Sequence, residues 1–152
     1  MSSDFAKAFD TVSHALLLSK MAYEFGFDPH LLKFLDTYLQ NRKQTITIRG
    51  FTSQAFTPTS GVPQGSNLGP LMFLIFINSL ANVVNNNCGI LLFADDMKLF
   101  LAVKDENNCK LLQDNINRVL QWSVDNKLKF NIDKCSVLVF LEKKNVYVLN
   151  MK

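Results

Sequence analysis

Apolar positions recur along this chain with two periods, and each period predicts its own elements. Residues 14–27, HALLLSKMAYEFGF, repeat with helical spacing, and Gly26 stands where a helix C-cap belongs. Residues 28–42, DPHLLKFLDTYLQNR, open on a strong helix start, with Asp28 as N-cap and Pro29 at the first helical position. Leu31, Leu32, Leu35, Tyr38 and Leu39 then make an apolar stripe. QTITIRG and FTSQAFT alternate with period two around Gly50, which predicts a hairpin. SGVPQGSNLGP, residues 60–70, is a Gly/Pro loop feeding a helix over 71–84 that is apolar on most sides and therefore expected to be buried. GILLFADDMKLFLAV, residues 89–103, is two apolar runs meeting at Asp95-Asp96, the pattern of a tight hairpin. Residues 106–126 are amphipathic, with Leu112, Ile116, Val119, Leu120 and Trp122 near one side. Residues 127–141 read as two short strands around Asp133-Lys134, and NVYVLN, 145–150, as a last strand-like piece.

Helices and hairpins are intermixed without strict β-α-β alternation, so the expected class is α+β with an antiparallel sheet. No internal repeat, low-complexity tract or linker is visible, and one compact unit is the simplest reading.

Composition narrows the class. With 48% hydrophobic and 19% charged residues in 152, the chain can bury a core and is not disordered. Thirteen phenylalanines favour cores and strands. A net charge of +3 and a pI near 8.8 permit a nucleic-acid partner without arguing for one. Cys88, Cys109 and Cys135 have no metal-site spacing and no disulfide framework, so they read as free thiols in a reducing compartment. The start, MSSDFAKAFD, lacks the basic and apolar regions of a signal peptide. LMFLIFINSLANVV falls short of the roughly 20 residues of a membrane span and is interrupted by Asn78 and Asn82. The expectation is a soluble intracellular protein without a membrane partner.

The chemistry concentrates at Asp95 and Asp96. Aspartate is common in hairpin turns because its side chain caps local N–H groups, so turn chemistry is one reading. The other is a cation site. Two like charges a few ångströms apart repel unless a cation lies between them, and hard cations such as Mg²⁺ take oxygen ligands. Asp4 and Asp10, in DFAKAFD, are candidates for a further carboxylate, and each could instead cap the helix that follows, Asp10 the more readily. In the 60–70 loop, Gly61, Gly65 and Gly69 allow close backbone approach, and Gln64 offers a donor and an acceptor at the tip, although a plain loop is the better explanation of Gly and Pro taken alone. His14 reads as a structural histidine.

DFAKAFDTVSH, SGVPQGSNLGPLMFLIFINSL, FADDMKLF and NKLKFNIDKCSVLVF occur in that order, and together they resemble motifs A to D of the reverse transcriptases of non-LTR, LINE-type or jockey-like retrotransposons. The resemblance covers nearly the whole chain. It implies a polymerase palm over residues 1–152, an antiparallel sheet with helices packed on one face, and RNA-directed DNA synthesis by two-metal nucleotidyl transfer. It implies two Mg²⁺ ions, with Mn²⁺ as a substitute, and as partners an RNA template, a DNA primer and deoxynucleoside triphosphates. By residue, Asp4 matches the motif A metal ligand, Asp95 the motif C ligand and Asp96 its neighbour, which supports the site and counts with them in the metal-binding set. Phe9 matches the bulky gate against the ribose 2′-hydroxyl. Gln64 matches the residue that contacts the incoming nucleotide, in a loop shaped by Pro63 and Gly65, and Lys134 matches the lysine near the leaving group.

The sequence also departs from the family pattern. Ser79 stands where an acidic residue often follows FIN, and Asn67 varies the motif B loop. Only three residues precede Asp4, and no segment matches the fingers or the thumb, which predicts a truncated element with an unpaired edge at the motif C hairpin. The alternative function is then a non-catalytic remnant that binds nucleic acid or complements a partner.

Overall fold

The computed structural model describes residues 1–40, 42–85 and 87–140. In chain order the elements are β1 (Ser2–Asp4), α1 (Ala8–Thr11), α2 (His14–Tyr23), α3 (Pro29–Gln40), β2 (Thr47–Ile48), β3 (Phe51–Thr52), α4 (Leu68–Asn78), β4 (Gly89–Phe93), β5 (Asp96–Phe100) and α5 (Glu106–Asp125), with 3₁₀ turns at Ser79–Val83 and Ile132–Lys134. The class is α+β, as the mixed periodicities predict. Two compact units form where the sequence reads as one: Met1–Ala6 with Asn78–Lys152, and Lys7–Ile77. Among the described residues no helix is long and apolar enough to cross a membrane. The cysteines are free thiols.

The first unit is built on an antiparallel sheet of order β1-β5-β4. The pleat sorts β5 by face: Met97 and Leu99 are buried, whereas Asp96, Lys98 and Phe100 are exposed. On the buried side Leu99 joins Cys88 and, from α5, Leu112 and Ile116 in one apolar cluster bordered by Ile90. Asp105 caps α5, its carboxylate accepting from Asn108 N at 2.9 Å. The buried face of α5 runs through Asn115, Ile116, Val119 and Trp122, which leaves Leu120 at the margin, 42% exposed, rather than within the predicted stripe. Trp122 Nε1 donates to Ser79 Oγ at 3.1 Å and so ties α5 to the Ser79–Val83 turn.

Among the described residues, the two strands predicted over 127–141 do not form. This segment meets β1 and its continuation at two isolated bridges, Phe5↔Phe130 and Ser2↔Ser136. The 3₁₀ turn Ile132–Lys134 lies between them and takes the chain out of register, so a ladder cannot propagate. Backbone bonds hold the segment at intervals: Lys129 O accepts from Ala6 N, Asn131 N donates to Asp4 O, and Ser136 exchanges two bonds with Ser2, each 2.8 Å long. β1, short as it is, therefore has partners on both sides and covers β5 from Asp96 to Lys98. Residue 141 and the strand predicted at 145–150 lie outside the described residues.

In the second unit α2 and α3 pack on each other through Leu17, Met21, Leu35 and Leu39, all buried. The C-cap of α2 is Glu24 and not the expected Gly26, which lies two residues further on with φ 65, and Asp28 Oδ1 accepts from His30 N at 2.8 Å at the start of α3. The α3 stripe is narrower than predicted, with Leu31 43% exposed. The β2–β3 hairpin turns through Arg49 and Gly50, both at positive φ. The helix predicted over 71–84 begins earlier, at Leu68, where Ser66 Oγ accepts from Gly69 N at 3.0 Å, and it gives way to the 3₁₀ turn after Asn78. It is not buried on most sides: Met72, Phe73, Phe76 and Ile77 are buried, but Leu71 and Leu74 are each 52% exposed.

Candidate functional site

In the first unit the β4–β5 hairpin closes in two residues, Ala94 and Asp95, between the paired Phe93 and Asp96. Ala94 takes φ 50, a left-handed conformation that costs an L-residue other than glycine roughly 1–2 kcal/mol. Tight closure puts Asp95 at the tip. On the other side of β5, the β1 register sets Asp4 directly opposite Asp96. Residues paired in this way project from the same face of the sheet. The alternation of β1 agrees, because Ser3 and Phe5 on either side of Asp4 are buried, Phe5 stacked on Phe130 with ring centres 4.4 Å apart. Three carboxylates thus meet at one end of one sheet.

A cation is already present there. Lys134 Nζ lies 2.5 Å from Asp4 Oδ2. The Asp4 side chain is 14% exposed and that of Lys134 62%. The hydrogen bond from Lys134 holds the Asp4 carboxyl below the ordinary carboxylate range, and Asp4 in return raises the Lys134 ammonium. Asp95 moves the other way. Desolvation pushes it up first, and the facing Asp4 carboxylate and then Asp96 add to the rise.

Asp4 Oδ1 is buried and has no hydrogen-bond partner. A desolvated carboxylate oxygen without a donor is costly by itself, and hard divalent ions take oxygens of this kind. Among the described residues no three His, Cys, Asp or Glu side chains converge tightly enough to hold an ion alone. One or two carboxylates are what Mg²⁺ commonly takes from a protein when substrate phosphates and water complete its shell, so the donor set suits such an ion.

The second unit holds the remaining predicted residues. Phe9, Gln64, Gly65 and Pro70 line a recess of about 250 Å³. Phe9 is stacked on Phe73, with ring centres 4.4 Å apart and planes 21° apart, so the ring is fixed as one wall. Pro63 O accepts from Ser66 Oγ at 2.8 Å, and a Cβ on Gly69 would lie 2.2 Å from that carbonyl, so glycine is required there. Gly65 has φ 78 and open space around it. A larger open groove of about 620 Å³, lined in part by Ser13, His14, Asp36 and Gln40, contains none of the predicted site residues.

Two residues in this unit, Asp10 and Arg42, act differently from their sequence reading or escaped it, and His14 follows it. Asp10 caps no helix: Lys7 and Ser13 hold the N-cap positions of α1 and α2, and Asp10 Oδ1 instead accepts from Gln64 Nε2 at 2.7 Å. His14 is a structural histidine, as expected, and donates through Nε2 to Gly61 O at 2.8 Å. Arg42 Nη2 donates to the same carbonyl at 3.0 Å. Nothing in the sequence marked Arg42, since its partner lies 19 positions away in a loop.

A family model described as reverse transcriptase (RNA-dependent DNA polymerase) matches residues 1–151. The RNA-directed DNA polymerase from mobile element jockey of Drosophila funebris is 29% identical over 148 residues, covering 90% of this chain. The corresponding jockey protein of Drosophila melanogaster is 27% identical and covers 92% of the chain. A Pol polyprotein from type-1 retrotransposable element R2 of Popillia japonica is 34% identical over 65% of the chain and 18% of its own length. The chain spans 16% of the length of either jockey relative.

Proposed function

We propose, because this chain belongs to the reverse transcriptase (RNA-dependent DNA polymerase) family, that it carries the palm chemistry of a non-LTR retrotransposon RNA-directed DNA polymerase. The observation that carries this reading is the register placing Asp4 opposite Asp96, with Asp95 at the adjoining turn. Residues 1–152 are then the palm part of a reverse transcriptase domain, and the reaction joins a deoxynucleoside triphosphate to a primer 3′ hydroxyl on an RNA template.

Asp4 and Asp95 would hold the divalent ions, two Mg²⁺ or in their place Mn²⁺, with Asp96 adding negative potential beside them. When bound, such ions activate the primer hydroxyl and stabilise the leaving oxygen. The chain's own residues do the remaining work. A cation held between Asp4 and Asp95 would relieve the mutual repulsion that helps raise the Asp95 carboxyl. Lys134, whose side chain is largely exposed, neutralises charge on the departing pyrophosphate. In the second unit the fixed ring of Phe9 excludes a nucleotide with an extra 2′ oxygen. Gln64, on the loop shaped by Pro63 and Gly65, contacts the incoming nucleotide.

Primer extension on an RNA template with Mg²⁺ or Mn²⁺ tests the reading. The wild-type chain is expected to add deoxynucleotides, and Asp95→Asn to lose at least about 100-fold in rate, as removal of a charge-stabilising group does. A folded chain that extends no primer at any concentration would overturn catalysis and leave a nucleic-acid-binding remnant as the reading to pursue.

A further inference from the structure

We propose that Asp10 is the positioning residue of the nucleotide recess, acting through Gln64; the inference rests on the reading of that recess given above. Gln64 Nε2 donates to Asp10 Oδ1 at 2.7 Å. An ionised carboxylate can only accept, so the bond fixes which end of the Gln64 amide faces Asp10. The NH₂ group turns inward, and Oε1, at the other end of the amide, is left to meet a ligand. Without that bond the exposed amide rotates between its two faces, and the recess loses a defined hydrogen-bonding wall.

The backbone around Asp10 makes the orientation possible. Val62 N donates to Phe9 O and Gly61 N to Val12 O, both at 2.8 Å, so the loop is stitched to the chain before and after Asp10. Ser60 Oγ donates to Asp10 O at 2.8 Å. Gly61 lies so close that a Cβ would sit 2.7 Å from Asp10 O and 2.8 Å from Asp10 Cα. On its other side the loop is gripped through Gly61 O by His14 and Arg42. This clamp fixes where Gln64 starts, and the Asp10 carboxylate fixes how its side chain ends. Phe9, the neighbour of Asp10 in sequence, lines the same recess as Gln64, so one short helix sets both its aromatic and its polar wall.

The test is equilibrium binding of a deoxynucleoside triphosphate with Mg²⁺, without primer, by calorimetry on the 152-residue chain. Asp10→Ala is expected to weaken binding about 10- to 100-fold, the range for a hydrogen bond to a charged group. Asp10→Asn, which keeps an acceptor oxygen, should recover most of that loss. Asp10→Ala added to Gln64→Ala should weaken binding no further than Gln64→Ala alone, which a merely structural role would not produce. The Gln64 side-chain amide resonances should shift in Asp10→Ala, or in Asp10→Ser if the alanine variant does not fold. If Gln64→Ala weakens binding but removal of the Asp10 carboxylate leaves both affinity and the amide resonances unchanged, the inference is overturned and the recess reading stands. Additive losses in the double variant overturn it as well. A folded wild-type chain that binds no nucleotide overturns the recess reading, and the inference falls with it.

Discussion

Asp95 occupies a position that costs stability. Its turn partner Ala94 is at positive φ, and its carboxyl is raised first by desolvation and then by Asp4 and Asp96. A carboxyl with a folded pKa above its unfolded value, about 3.9 for Asp, binds protons more tightly when folded. Stability is therefore lost as pH rises through the window between those two values. Asp95→Asn removes the penalty and should raise Tm at pH 7. The gain should fade on acidification, once the wild-type carboxyl is protonated too; thermal melts at pH 7 and pH 4 check it. Asp4 has the opposite sign, its pairing with Lys134 stabilising above the ordinary carboxylate pKa and lost as pH falls through the depressed folded value. Sequence motifs pointed to these residues one by one. They could not show that Lys134 pairs with Asp4 across 130 positions, or that Asp10 serves Gln64 across 54. Both depend on which loop folds back where, and local pattern carries no record of that.

The elements with strong local signals formed where the periods placed them: α2, α3, α5 and the two hairpins. Those that failed were decided by tertiary surroundings. Residues 127–140 have strand-like residues but only bridges, because a 3₁₀ turn interrupts their register against β1. The apolar content of α4 suggested burial all round, yet the unit covers one face only. Loop 60–65 shows the same dependence at Gly61, whose need for glycine has two causes, a φ of 83 and the backbone of Asp10 within 3 Å of any Cβ. Gly61→Ala should cost about 2–4 kcal/mol, the left-handed strain plus a forced shift of the loop. The signature is a lower urea midpoint with an unchanged m-value.

For the chain as a whole, a net charge of +3 coexists with an acidic end on one sheet, so the overall sign does not describe the site. A ligand that binds only the folded chain stabilises it by RT ln(1 + [L]/Kd), so millimolar Mg²⁺ or Mn²⁺ should raise Tm in the wild type. The shift should shrink on acidification, as protons compete with the ion for the carboxylates, and EDTA should abolish it. Differential scanning calorimetry of wild type and Asp95→Asn is the comparison; an equal shift in both would place the ion elsewhere.

The segment from Lys129 to Ser136 has a consequence of its own. Its backbone closes the outer side of β1, and its side chain at Lys134 neutralises Asp4. Local opening of a protein proceeds in contiguous pieces, not bond by bond. If this piece lifts, the strand edge is bared and the carboxylate loses its counter-charge in the same event. Accessibility of the edge and electrostatic state of the acidic end are therefore two readouts of one fluctuation.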